Sequence, residues 1–175
     1  MKYPPYKAAA PLLVNDGNGL NDWLDVQNPK GDFLDVNVWL ALADPKHEHH
    51  DFAIAYWSEM QALGLKVWFN RHTMLGLIRL LSQRKVMTDR ALHLQAAMAA
   101  YKHFLALPFV SWLPETTSLG KQIDAQMSGL LAGLPARLST DAYLATVAKI
   151  TGLRMVTFDT DFKRFELENW LLLSA

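Results

Sequence analysis

From Asp32 onward the chain alternates between two hydrophobic patterns. Short apolar runs mark buried strands, and stretches with an apolar residue every third or fourth position mark amphipathic helices. Strands are expected at Asp32–Leu34, Lys66–Phe69, Phe109–Leu113, Arg154–Phe158 and, at the sheet edge, Trp170–Leu173. Helices are expected over about Asn37–Ala43, Glu48–Leu63, His72–Ser82, Asp89–Leu105, Glu115–Leu130 and Ser139–Thr151. In the second helix Phe52, Ala53, Tyr56, Trp57, Met60 and Leu63 have helical spacing. Asp44-Pro45 breaks the first helix, Gly64 and Gly152 are natural C-terminal stops, and Thr88 and Ser139-Thr140 are candidate N-caps. Strands alternating with helices predict βαβ units, hence an α/β fold on a parallel sheet of four to five strands.

Residues 1–31 break this rhythm. They carry Pro4, Pro5, Pro11, Pro29, Gly17, Gly19 and Gly31, with asparagines at 15, 18, 21 and 28. The segment reads as an N-terminal extension, and the domain proper as 32–175. Its first fourteen residues have a basic start and a short apolar run. That run is interrupted by Pro11 and lacks a clear cleavage site, so it reads as tail. Within it, Asn18–Val26 can form a capped amphipathic turn around Trp23.

Composition narrows the classes. The 175 residues, 51% of them hydrophobic, suffice for one domain with a real core. The sequence has no cysteine, which excludes disulfides, zinc–thiolate sites, iron–sulfur clusters and thiol catalysis. A cytoplasmic protein is expected, and no apolar stretch reaches the length of a membrane span. Net charge is zero, but its distribution is uneven. Residues 1–60 hold 4 basic and 9 acidic side chains, whereas residues 61–90 hold 6 basic against Asp89 alone. The basic segment suits phosphate contact and suits a solvated helix face equally well.

The chemistry lies in acidic stops. Asp35 ends the first strand, Asp159 ends the fourth, and Asp141 opens a helix between them. Strand ends in a parallel sheet share one edge, where α/β proteins place their sites. Three carboxylates there suit Mg2+ or Mn2+, which prefer hard oxygen ligands. Asn37 lies two residues past Asp35 and can orient a carboxylate or a water; Asp161 lies two past Asp159. The same aspartates also read as ordinary caps and turn residues. Asp44, His47, His49, His50 and Asp51 form a second run of potential ligands, more simply read as a solvated helix start.

Taken together, Phe33-Leu-Asp35-Val-Asn37-Val, Asp44-Pro-x-His47-x-x-His50, Arg71-His-Thr73-x-Leu-Gly-x-x-Arg79-Leu-Leu81, Ser139-Thr-Asp141-Ala-Tyr-Leu-Ala145 and Leu153-x-x-Val-Thr157-Phe-Asp159-x-Asp161-Phe162 resemble the PIN-domain ribonucleases. The likeness is to VapC-type toxins of bacterial toxin–antitoxin systems in particular, and it spans residues 32–165. The resemblance implies a three-layer α/β/α sandwich and a metal-dependent endoribonuclease that hydrolyses RNA phosphodiesters with Mg2+ or Mn2+. It places Asp35, Asp141 and Asp159 at the metal, with Asn37, Thr73 and Asp161 as supporting groups. It also implies a VapB-like antitoxin partner and a homodimer. One position departs: Met74 stands next to Thr73, where many PIN domains carry a glutamate, and no acid lies between Met60 and Thr88. This motivates an alternative, a weak or inactive PIN domain that binds RNA or protein. A haloacid-dehalogenase-like phosphatase is disfavoured by Asn37, which stands where that family commonly has a second aspartate. A dinucleotide binder is disfavoured because no Gly-x-Gly-x-x-Gly follows the first strand.

Overall fold

The computed structural model describes residues 31–173. The extension expected over 1–31 therefore lies outside the described residues except for Gly31.

Five short strands form one parallel sheet: β1 (Asp32–Leu34), β2 (Val67–Phe69), β3 (Val110–Trp112), β4 (Arg154–Thr157) and β5 (Trp170–Leu172). Their order is β3-β2-β1-β4-β5. The chain steps outward from β1 to β3, then returns to the other flank for β4 and β5. The reversal falls between β1 and β4, which pair with Leu34 opposite Val156. A crevice opens at such a reversal, outside the carboxyl ends of the strands. Between the strands run α1 (Val36–Ala43), α2 (His50–Ala62), α3 (Arg71–Leu81), α4 (Arg84–Met87), α5 (Leu94–Leu105), α6 (Thr117–Leu130) and α7 (Ser139–Thr151).

Neighbouring residues on a strand face opposite ways, and both faces here are covered. Leu34, Val67, Phe69 and Val156 pack into one apolar cluster with α1, α2, α3 and α5, where the Trp39 ring stacks on Phe69 at 3.6 Å between centroids. Phe33, Trp68 and Met155 face a second cluster built from α6 and α7. The result is the expected α/β/α sandwich. Among the described residues no helix is long and apolar enough to cross a membrane.

The carboxyl-end crevice has a neutralised counterpart at the opposite edge. Asp32, fully buried, is gripped by Arg154 through Nε at 2.8 Å and Nη2 at 2.7 Å, and accepts the Tyr56 hydroxyl at 2.6 Å. Gly31 precedes it at φ 125°, and a Cβ there would stand 1.9 Å from the Lys66 carbonyl oxygen. Only glycine fits this close approach. Gly76 of α3 serves similarly, because a Cβ would meet Val36 Cγ2 at 2.6 Å.

One expected helix is broken. The stretch Asp89–Leu105 is not continuous from a Thr88 cap. Thr88 has φ 57°, Thr88–Arg90 form a 3-10 turn, and α5 begins only at Leu94, capped by His93 accepting from Ala96 N–H at 3.2 Å. The cause is tertiary: Arg90 turns away to pair with Asp44 at the C-terminus of α1, and Leu92 N–H bonds Leu81 O at 2.8 Å. Ser139 and Thr140 are the first residues of α7 rather than its caps; Leu138 holds the N-cap position without a side-chain bond.

Candidate active site

Asp35 occupies the N-cap position of α1, yet its side chain makes no cap bond. Its backbone performs both local tasks: the N–H continues the ladder to Val156 O at 2.9 Å, and the carbonyl accepts from Trp39 N–H at 3.2 Å. The carboxylate is thereby released toward the crevice. Its Oδ2 accepts the Thr157 hydroxyl at 2.7 Å and the Asn37 amide at 2.8 Å. Asn37 also donates to Thr157 Oγ1 at 3.1 Å and accepts Phe158 N–H on Oδ1 at 3.3 Å. Asn37 thus locks β1's end to β4's end and orients Asp35.

Asp159 follows β4 and caps the 3-10 turn Thr160–Phe165, accepting Asp161 N–H at 2.7 Å. Its own N–H is donated to Thr157 Oγ1 at 2.9 Å. Asp141, half-buried, opens α7. Asp161 is occupied differently: Arg137 donates to Oδ2 at 2.7 Å and Arg164 to Oδ1 at 2.9 Å. These guanidinium bonds hold its carboxyl below the usual range. Asp161 is a salt-bridged strut beside the other acids.

Electrostatics separate the central carboxylates from that strut. Burial, reinforced by the Asp141 and Asp159 charges, pushes Asp35 up to about 6 despite the Thr157 hydrogen bond. Burial and the Asp159 and Asp161 charges also raise Asp141. No cation of the described residues lies within salt-bridge distance of Asp35, Asp141 or Asp159. Like charges so placed favour a proton or an external cation. Among the described residues no three His, Cys, Asp or Glu side chains close on one metal point. In donor chemistry, hard carboxylate oxygens that repel one another and are only partly offset by Arg137 and Arg164, the crevice fits a small divalent ion.

The PIN-domain family model matches residues 33–167, which include every one of these carboxylates. The chain belongs to the PIN-domain family. Ribonuclease VapC41 of Mycobacterium tuberculosis is 32% identical over 134 residues, covering 75% of this chain and 90% of that protein. The fold matches the crystal structure of M. tuberculosis VapC20, a sarcin-ricin loop cleaving toxin, at TM-score 0.59 and 23% identity, covering 78% of this chain and 96% of that one. It also matches a chain of Rickettsia felis VapBC2 bound to a DNA fragment from its promoter, at TM-score 0.59 and 13% identity, covering 81% and 98%. At those identities the two structures speak to the fold.

Within this PIN domain Thr73 sits in a buried capping box at the start of α3. Asn70 Oδ1 accepts Thr73 N–H at 2.9 Å, and Thr73 Oγ1 accepts Asn70 N–H at 3.0 Å. Its hydroxyl is engaged with Asn70 rather than turned to the carboxylates. Met74 is buried in the apolar cluster, with its sulfur 3.9 Å from Arg71 Nη1. The histidine run does not converge either. His50 Nδ1 lies 2.7 Å from Ala41 O, the His49 ring stacks on Phe158 at 4.5 Å, and Asp44 is held by Arg90. Sequence reasoning missed Asn70, Glu115 and Tyr143, which meet at the carboxyl ends of β2 and β3. Only the Asn70-x-x-Thr73 capping pattern was visible locally.

Proposed function

We propose that this PIN domain is a metal-dependent endoribonuclease, the toxin of a VapBC-type toxin–antitoxin pair, cutting RNA in the cytoplasm. The observation that carries the reading is the placement of Asp35, Asp141 and Asp159 around the carboxyl ends of β1 and β4, with Asp35 raised to about 6 by burial and by the charges of the other two. Asp35, Asp141 and Asp159 would hold Mg2+ or Mn2+; Asn37 and Thr157 keep Asp35 aimed, and Asp161 stiffens the turn that carries Asp159. Held there, such an ion would supply Lewis acidity to activate a water and to offset charge on the phosphodiester. The protein contributes no nucleophile of its own. Arg71, exposed and stacked over the Trp112 ring at 4.9 Å, and Arg79, exposed on the same helix, are suited to RNA phosphates.

A VapB-like antitoxin and a second copy of the chain are the proposed protein partners. Solved relatives include VapBC complexes, and Leu75 and Leu94 leave apolar side chains exposed for such contacts. The test is cleavage of structured RNA by the purified chain with Mg2+ or Mn2+, with Asp35→Asn as control. Cleavage that disappears in the variant supports the enzyme; equal cleavage by both proteins sinks it. Met74 favours a second reading, a domain that binds without cutting, and RNA binding with no metal-dependent products would establish that instead.

A further inference from the structure

Helix α7 carries Asp141 into the crevice between two anchors. On the β4 side Arg137, just before α7, donates to Asp161 at 2.7 Å. On the other side Tyr143, two residues past Asp141, donates its hydroxyl to Glu115 and accepts Asn70 Nδ2 at 3.1 Å. Asn70 follows β2 and Glu115 follows β3, so one phenol oxygen joins the ends of two strands to α7. Residues two apart on a helix point in nearly opposite directions. The side of α7 that bears Tyr143 therefore fixes how far the side bearing Asp141 reaches.

The two anchors differ in burial. Arg137 is exposed, and solvent screens an exposed pair. Tyr143 is half-buried; its bond to Glu115 lies at the surface, and its bond from Asn70 is part-buried. Its polarity is also dictated. Asn70 is 1% exposed, and its Oδ1 is committed to Thr73 N–H, so the amide nitrogen must face the phenol. The phenol oxygen accepts there, and its proton can go only to Glu115. The His72 ring packs 5.2 Å from the Tyr143 ring, and burial and Arg79 keep His72 below its ordinary range.

We propose that Tyr143 is a positioning residue that sets the place of Asp141 in the acidic crevice through its bridge to Asn70 and Glu115. The inference rests on the reading of that crevice as a metal centre. Tyr143→Phe keeps the ring and its packing and removes only the bridging oxygen. In the full chain, Mn2+ binding followed by electron paramagnetic resonance should weaken about tenfold in Tyr143→Phe, with kcat falling to match and KM for RNA little changed. Glu115→Gln, whose amide oxygen still accepts the phenol proton, should keep most of the affinity. Glu115→Ala should fall to the level of Tyr143→Phe, and the double variant should be no worse than either single one. Wild-type Mn2+ affinity and kcat in Tyr143→Phe would overturn the proposal, as would a lowered Tm with affinity unchanged. A wild-type chain that neither binds Mn2+ nor cuts RNA overturns the metal-centre reading and this inference with it. Wild-type activity alongside an unaffected Tyr143→Phe overturns the inference alone.

Discussion

Thr157 donates its hydroxyl to Asp35 Oδ2 at 2.7 Å, one step beyond the last paired residues of β1 and β4. Thr157 Oγ1 in turn accepts Asp159 N–H at 2.9 Å. A single hydroxyl thus couples the carboxylate after the first strand to the carboxylate after the fourth.

Replacing Thr157 by valine keeps the shape and removes the donor. The hydroxyl favours the ionised form of Asp35, so its loss should raise that carboxyl further above about 6. Cleavage at neutral pH should fall about twofold, since the shift moves the carboxylate toward half-protonation. Stability should fall by about 1–2 kcal/mol from the lost buried bond. A pH–rate profile checks this: the variant's acid limb should move to higher pH, and a profile superimposable on the wild type refutes it.

Asp35 itself opposes folding when ionised. Its folded value of about 6 exceeds its ordinary 3.8, so the folded state binds the proton more tightly. The stability linked to that proton is fully present below about 3.8 and is lost as pH rises through about 6. Asp35→Asn removes the charge, so at pH 8 the variant should be more stable by up to about 3 kcal/mol. The gain should shrink toward zero as pH falls to 4. Urea unfolding at several pH values measures it; a gain independent of pH would refute the assignment to ionisation.

Divalent metal should relieve the same repulsion. Mn2+ without RNA should raise the wild-type Tm by several degrees, and by much less in Asp35→Asn. Protons compete for the carboxylates, so Mn2+ affinity should drop as pH falls through about 6. Chelation should abolish cleavage and return the Tm to its metal-free value. Calorimetric scans with and without Mn2+ at pH 5 and pH 8 decide the matter.

At the other edge, Asp32→Ala removes the carboxylate that grips the buried Arg154 through two nitrogens. Loss of one member of a buried pair costs about 3–5 kcal/mol. The variant should unfold at clearly lower urea concentration. Because Asp32 lies at the amino end of β1, turnover per folded molecule should match the wild type at low temperature. A selective loss of turnover without loss of stability would show that the ion pair acts on the crevice.

The strand ends were legible in the sequence because each is a local signal: an apolar run that stops on a carboxylate, as at Leu34-Asp35 and Phe158-Asp159. Asn37 was legible for the same reason, lying two residues from the group it orients. The break before α5 was not, because Arg90 is drawn off by Asp44, 46 residues away. Nor was the Tyr143 bridge, whose partners lie 73 and 28 residues distant. Thr73 shows a further limit. A threonine at a helix start looks the same in sequence whether it faces a ligand or caps its own backbone.

The sheet is a charge-sorted object. At the amino ends of its strands Asp32 meets Arg154, and at the carboxyl ends Asp35 meets, among the described residues, other acids and neutral donors. The same strands, three or four residues long, join a satisfied pole to a hungry one. Engineering can treat the two poles as separate dials: changes around Asp32 and Tyr56 would tune how long the protein survives, and changes around Asp35 and Thr157 would tune what it does while it lasts.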